Sequence, residues 1–141
     1  MTLKTYHGSC HCGAVAFTAS LDFEEGTQRC NCSICTKSRT WFCGAKADAV
    51  TITKGEDQLA DYSWVPPGGP KLELHYRFCK TCGVRAFAKG YEEKLGGTFY
   101  AVAIDALDDV GGDVDQLAHS IRYVDGRNDE YGREPSDIRL M

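Results

Sequence analysis

Seven of the eight cysteines fall into three short clusters, and thiols at these spacings are typical metal ligands. The clusters are C-x-C at residues 10–12, C-x-C-x-x-C at residues 30–35 and C-x-x-C at residues 79–82. Two sulfurs from one tight turn can reach the same ion at about 2.3 Å, which is the Zn–S distance of tetrahedral sites. Gly13 and Gly83 directly follow two of the clusters, where glycine lets the chain curl back and point backbone N–H groups at the thiolates.

Three other uses of these cysteines are weaker explanations than zinc binding. Disulfides need an oxidising compartment, and residues 1–6 show no apolar segment of a secretory signal, so we expect a cytoplasmic protein with reduced thiols. A redox dithiol at Cys79 and Cys82 usually precedes a helix in a βαβ unit, which this sequence does not predict. Iron also binds four thiolates and stays an alternative, but zinc is the more usual ion at an ordinary cytoplasmic four-cysteine site.

The number of ligands divides the clusters into two sites. The two clusters with two cysteines each together supply the four thiolates of a closed structural site, which would join the start of the chain to its second half. The remaining cluster has three sulfurs and leaves one coordination position open, as in catalytic zinc sites. An incoming thiolate could fill that position, or the cluster could stay empty until one arrives. The closed set is Cys10, Cys12, Cys79 and Cys82, and the open set is Cys30, Cys32 and Cys35.

Short β-strands are predicted to position these clusters. Alternating or β-branched runs indicate strands at 14–19, 49–53, 71–78 and 98–104. The run at 66–70 contains three prolines and two glycines and therefore predicts a loop. Because no apolar 3.6-residue period persists over three turns, the fold is predicted to be mostly β, with at most one or two short helices. In the strand at 71–78, the residues predicted to point inward are Leu72, Leu74, Tyr76 and Phe78.

Length and charge exclude several classes of protein. A chain of 141 residues is expected to form one domain with a sizeable core, and no apolar stretch is long enough to cross a bilayer. The net charge is −4, and residues 105–141 hold ten acidic side chains against four arginines. Such a balance argues against a nucleic-acid partner. Basic residues near cysteines favour thiolates and a small anionic ligand, and they are Arg29, Lys37, Arg39, Arg77, Lys80 and Arg85.

Three motifs resemble the glutathione-dependent formaldehyde-activating (GFA) enzyme family, which is also named for its relative centromere protein V. They are GSCHCG at 8–13, CNCSIC at 30–35 and FCKTCG at 78–83, and the similarity runs from about residue 5 to residue 110. The resemblance implies an all-β tent of short antiparallel sheets, with a structural zinc and a second zinc site on the cysteine sets described above. We expect the GFA-type zinc domain to span residues 5–125, followed by a C-terminal tail at 126–141.

The resemblance also implies an activity and its site. Family members condense formaldehyde with glutathione to S-hydroxymethylglutathione, a carbon–sulfur lyase reaction, so Cys30, Cys32 and Cys35 are the predicted catalytic residues. Lys37 and Arg39 follow this cluster and are predicted to bind the glutathione carboxylates. The run at 36–42 is bulkier than the small glycine-containing loop that the family often has. Cys43 is extra: it is either a small buried apolar residue or a fourth ligand that closes the second site.

Two functions from different classes follow from these expectations. The first is a lyase that acts on a small-molecule thiol and aldehyde. The second is a zinc-stabilised module that binds or carries glutathione or another small thiol without chemistry of its own. The second is a serious alternative because the uncatalysed condensation is already quick. No membrane partner is expected, and a cytoskeletal or nucleic-acid role, by analogy with the centromeric relative, is a distant third. The sequence leaves the oligomeric state unknown.

Overall fold

Two β-sheets carry most of the structure, which confirms the predicted mostly β fold. The computed structural model describes residues 2–67 and 72–141. The strands are β1 (Lys4–Ser9), β2 (Ala16–Leu21), β3 (Thr27–Cys30), β4 (Trp41–Lys46), β5 (Val50–Lys54), β6 (Leu59–Trp64), β7 (Leu74–Cys79), β8 (Arg85–Glu92), β9 (Gly97–Ala103) and β10 (Ile121–Val124).

The described residues include two short α-helices, as predicted. They are α1 (Ser33–Ser38) and α2 (Val114–Ser120). Neither of these helices has the length or the hydropathy that crossing a bilayer would need. Single-turn 3₁₀ helices connect other elements: Phe23–Glu25, Glu56–Gln58, Glu93–Leu95, Ile104–Ala106, Gly111–Asp113 and Gly126–Asn128.

Strand order shows which parts of the chain are neighbours in each sheet. The smaller sheet has the order β1-β2-β5 and is antiparallel. The larger sheet has the order β10-β3-β4-β9-β8-β7-β6, and its pairs are antiparallel except for β10 with β3. The parallel pair aligns Val124 with Cys30, which brings the C-terminal part of the chain beside the second cysteine cluster.

The two sheets pack through a shared apolar core. Phe17 of β2 meets Phe87 of β8 edge-on, with ring centroids 5.8 Å apart. Cross-strand pairing aligns Cys43, Val102 and Phe87 in one row on this face of the larger sheet. Burying an apolar side chain of the size of Val102 or Phe87 contributes roughly 1.5–3 kcal/mol, so this row stabilises the packing of the two sheets.

The predicted strands are present, with shifted ends. Strands β2, β5 and β9 match the runs at 14–19, 49–53 and 98–104 to within two residues. The run at 71–78 becomes β7, which begins at Leu74, and Lys71 lies outside the described residues, as do positions 68–70 of the predicted loop. A bulge between Arg77 and Phe78 breaks the alternation, so that Phe78 is only half-buried and Cys79 is buried instead.

Candidate metal centre and cavity

Four sulfurs converge where the end of β7 meets the turn after β1. The Sγ atoms of Cys10 and Cys12 are 3.7 Å apart, and those of Cys12 and Cys79 are 3.6 Å apart. Cys82 completes the group, in which all four Sγ atoms lie within 4.8 Å of one another. In a tetrahedron with Zn–S bonds of 2.3 Å the sulfurs are about 3.8 Å apart, so these four thiols fit a zinc ion.

Two glycine turns shape this four-cysteine cluster. Gly13 and Gly83 have φ angles of 81° and 76°, in the left-handed region where glycine is favoured. The turns direct backbone N–H groups at sulfur: Val15 donates to Cys10 Sγ at 3.3 Å, and Thr81 donates to Cys79 Sγ at 3.4 Å. Such donors stabilise thiolates, which are the form that binds metal.

The three-cysteine cluster lies on a different part of the larger sheet. Cys30 ends β3, Cys32 precedes the first turn of α1 and Cys35 lies within that helix. All three are buried, and their Sγ atoms lie within 4.8 Å of one another. The backbone N–H of Cys32 donates to Cys30 Sγ at 3.4 Å. The arrangement offers three thiol ligands to a metal ion.

Charge is shared unevenly within the three-cysteine cluster. The thiols of Cys30 and Cys35 donate to the sulfur of Cys32, which lowers the pKa of Cys32 to about 3. The pKa of Cys35 is raised because its hydrogen bonds to Cys30 and Cys32 hold its proton in place. A cation that binds at the cluster displaces the protons that remain on its thiols.

Cys43 is a core residue and lies apart from both clusters. It is 2% exposed and packs with the apolar core between the sheets. Its thiol donates weakly to the carbonyl oxygen of Gly26, with 3.8 Å between sulfur and oxygen. Burial raises the pKa of Cys43 to about 11, so it is a protonated apolar residue at neutral pH. Cys43 is therefore a small buried apolar residue and not a fourth ligand of the second site.

A cavity of about 580 Å³ opens beside the three-cysteine cluster on the face of the larger sheet that is turned away from the core. Tyr76, Ala88 and Ala101 are cross-strand neighbours on this face, and the two alanines leave space above the sheet. Leu72 and Leu74, which were predicted to point inward, line this cavity rather than the core between the sheets. Other walls are Phe42, Trp64, Phe99 and Val124.

Arg85 places a cation at the end of the cavity nearest the cysteines. It is half-buried, its guanidinium lies 4.4 Å from the centre of the Tyr76 ring, and its Nη1 donates to Thr40 Oγ1 at 3.4 Å. Both Arg85 and Tyr76 line the cavity together with Cys35. In the sequence Arg85 is one of six basic residues near cysteines, and its place at the cavity depends on the pairing of β8 with β7.

The two basic residues predicted to bind glutathione lie elsewhere. Lys37 is exposed on α1, and Arg39 ends that helix with a left-handed φ of 53°. Arg39 lines a much smaller depression on another side of the cluster, where its Nη1 donates to the carbonyl oxygen of Leu140 at 3.3 Å. Neither residue is among the described residues that line the large cavity, and their role in ligand binding stays a prediction.

The C-terminal segment packs onto the three-cysteine cluster. Asp125 is buried and accepts hydrogen bonds from Asn31 Nδ2 at 2.8 Å and from Asn128 Nδ2 at 2.9 Å. The backbone N–H of Arg127 donates to Asn31 Oδ1 at 2.9 Å, and its Nε donates to the carbonyl oxygen of Asn31 at 3.0 Å. Asn31 lies between two of the cysteines, so residues 125–128 hold the loop that carries them. No pattern in the sequence predicts a role for this segment.

Comparisons with known proteins agree with this architecture. The model of the glutathione-dependent formaldehyde-activating enzyme family matches residues 5–123. A crystal structure of a Rhodobacter sphaeroides protein is similar, with a TM-score of 0.64 and 23% sequence identity over 84% of this chain and 99% of that one. At such an identity the likeness shows a shared fold alone. Since the family model covers both cysteine clusters and nearly all the strands, the chain belongs to the glutathione-dependent formaldehyde-activating enzyme family.

Proposed function

We propose that this protein is a zinc-dependent carbon–sulfur lyase that forms and cleaves the adduct between glutathione and formaldehyde. The single observation that carries the proposal is the buried three-cysteine cluster at the end of an accessible cavity. A closed four-cysteine site elsewhere in the chain leaves this cluster free for chemistry. Membership of the family supports the choice of substrates.

In this proposal one cysteine cluster has a structural role and the other a catalytic role. Cys10, Cys12, Cys79 and Cys82 would hold a structural ion, and Cys30, Cys32 and Cys35 would hold the reactive one. When bound at three thiolates, zinc supplies a Lewis acid that lowers the pKa of a ligand thiol.

The residues around the cluster orient the reactants. In the forward direction the glutathione thiol loses its proton and its sulfur attacks the carbonyl carbon of formaldehyde. The C–S bond forms as the carbonyl electron pair moves to oxygen, which takes up a proton, so that one thiol and one aldehyde give one hemithioacetal. Arg85 lies beside the cluster, where its guanidinium can hold an anionic group of the thiol or the developing alkoxide.

Exchange spectroscopy tests this proposal directly. At equilibrium, the rate at which labelled formaldehyde passes into S-hydroxymethylglutathione is measured with and without the zinc-loaded protein. We expect the protein to raise that rate and Cys32→Ser to return it to the uncatalysed value. Cys43→Ala is the matched control, because it removes a thiol outside the cluster and is expected to keep the activity. An unchanged rate with wild-type protein would contradict the lyase.

A thiol carrier without chemistry of its own is the second candidate, and one observation favours it. The described residues that line the cavity include no histidine, and their one carboxylate, Glu92, lies at the opposite end of β8 from Arg85, so neither of the usual acid–base groups stands beside the cluster. A protein that binds glutathione in calorimetry with the stoichiometry of the cluster, yet leaves the exchange rate unchanged, would be such a carrier.

A further inference from the structure

The chemistry of the cavity suggests a ligand that is more apolar than the adduct of glutathione with formaldehyde. We infer that the site takes a hemithioacetal with an apolar body, in which the sulfur and the former carbonyl carbon lie at the three-cysteine cluster and the body extends along the cavity. This inference rests on the proposed function in using the same cluster, but it concerns what the cavity binds.

The floor of the cavity is built to leave space. Ala88 of β8 and Ala101 of β9 are directly paired across the sheet, and both line the cavity. On the opposite face of the same strands, their neighbours Phe87 and Val102 fill the core between the sheets. Because side chains alternate along a strand, small residues on one face and large ones on the other produce a hollow on one side only.

The walls of the cavity are apolar over most of its length. Its charged lining residues within the described part of the chain are Arg85 beside the cysteines and, separately, Glu92 and Lys94. Arg85 and Glu92 are the two ends of β8, seven residues apart, which corresponds to roughly 23 Å along an extended strand. The stretch between them is formed by aromatic and aliphatic side chains such as Phe42, Trp64 and Leu74.

This distribution of charge fits a body with few charged groups. Glutathione carries two carboxylates and one ammonium, and among the described residues the cluster end of the cavity offers one cation, Arg85. A charged group in the apolar stretch would lose its hydration without gaining a partner, which is unfavourable. An apolar body would instead gain from leaving water, and a volume of about 580 Å³ lies within the usual range for small-molecule sites. One anionic group next to Arg85 is compatible with this ligand.

The apolar body could come from the aldehyde or from the thiol, and a two-armed titration separates these sources. In the first arm, calorimetry of the zinc-loaded full chain uses glutathione with formaldehyde, propanal, pentanal and heptanal. In the second arm, formaldehyde is kept and the thiol is mercaptoethanol, propanethiol or pentanethiol. We expect about fourfold tighter binding for each added methylene in at least one arm until the cavity is full.

Two variants tie this gain to the cavity. Ala101→Phe fills the floor of the cavity and is expected to abolish the increase in affinity with chain length. Ala47→Phe adds the same side chain at an exposed turn and is expected to behave as wild type. Should Ala101→Phe fail to fold, Phe99→Ala enlarges the cavity and is expected to extend the gain to longer chains.

The outcomes separate this inference from the proposed function. Binding that does not change with chain length in either arm, while glutathione and formaldehyde still exchange faster with the protein, overturns the inference and leaves the lyase standing. A gain with chain length without faster exchange supports the apolar site and contradicts the lyase. A gain that persists in Ala101→Phe overturns the inference, because the apolar contact would then lie outside the cavity.

Discussion

Gly126 lies directly against the Sγ atom of Cys30, so closely that a Cβ atom at position 126 would overlap the sulfur. The same hypothetical atom would come within 3.3 Å of the Cβ of Cys32. The C-terminal segment therefore forms part of the wall of the three-cysteine cluster. Its first residues, which follow β10, are needed to shape a site whose ligands lie almost a hundred positions earlier in the chain.

Replacing this glycine should damage the cluster without unfolding the protein. We expect Gly126→Ala to push the segment or Cys30 aside and to weaken metal binding at the three-cysteine cluster by about tenfold or more, as loss of supporting contacts does at other metal sites. Titration with Co²⁺, followed by its thiolate charge-transfer absorption, measures the affinity. Gly132→Ala is the matched control, since a Cβ there meets nothing within 4 Å. Equal affinity in the two variants would contradict the role assigned to Gly126.

Asp125 should make the stability of this segment depend on pH. Hydrogen bonds from Asn128 and Asn31 hold the pKa of Asp125 below its ordinary value, so folding favours its ionised form. Its contribution is fully present above the unfolded pKa of about 3.9 and is lost as the pH falls through the lower folded value. We expect Asp125→Asn to lower the free energy of unfolding at pH 6. The difference in this free energy between wild type and variant should become smaller below pH 4.

Denaturant unfolding of both proteins at each pH, in an excess of zinc that keeps both clusters loaded, measures this difference in the free energy of unfolding. Asp129→Asn makes the same change of charge in the same segment at an exposed position and should show no such pattern. A constant gap between wild type and Asp125→Asn from pH 3 to pH 6 would show that the carboxylate is not the group that holds Asn31.

The two cysteine clusters should respond differently to loss of one thiol. Cys82→Ser should unfold the domain, because structural zinc contributes about 10–16 kcal/mol in small zinc peptides and whole domains are stable by only about 5–15 kcal/mol. Cys32→Ser should leave the fold largely intact and abolish metal binding at the second cluster. Circular dichroism and elemental analysis of zinc distinguish these results.

The contrary outcomes are clear for each variant. An unchanged melting curve and unchanged zinc content in Cys82→Ser would rule out a structural ion at the four-cysteine cluster. Complete loss of soluble protein on Cys32→Ser would mean that the roles of the clusters are reversed.

Cys43 should affect stability and leave metal content alone. Cys43→Ala removes one buried sulfur from the core and should cost about 1 kcal/mol, similar to other small deletions in packed cores. Zinc stoichiometry should equal that of the wild type, because the sulfur lies on the core face of the larger sheet. A variant that loses zinc would contradict this placement.

Local spacing in the sequence is enough to predict the metal chemistry. Sulfurs two or three residues apart in one turn are neighbours whatever the rest of the chain does, and Gly13 and Gly83 mark the left-handed turns that those clusters need. Alternation along the strands likewise indicates the mostly β fold, because it depends only on the two-residue period of a strand. These features are local, and the family match agrees with them.

Which side chains share a site depends instead on strand pairing. Phe42 and Cys43 are adjacent in β4, yet Phe42 lines the cavity and Cys43 lies in the core. Successive side chains of a strand point to opposite faces, and the register of β4 with β9 determines which residues are neighbours on each face. Lys37 and Arg39 are predicted to bind the ligand because they follow the cysteine cluster in the chain. Arg85 reaches the cavity instead through the pairing of β8 with β7. Contacts between residues far apart in the chain form only when the strands pair, so no local sequence pattern predicts them.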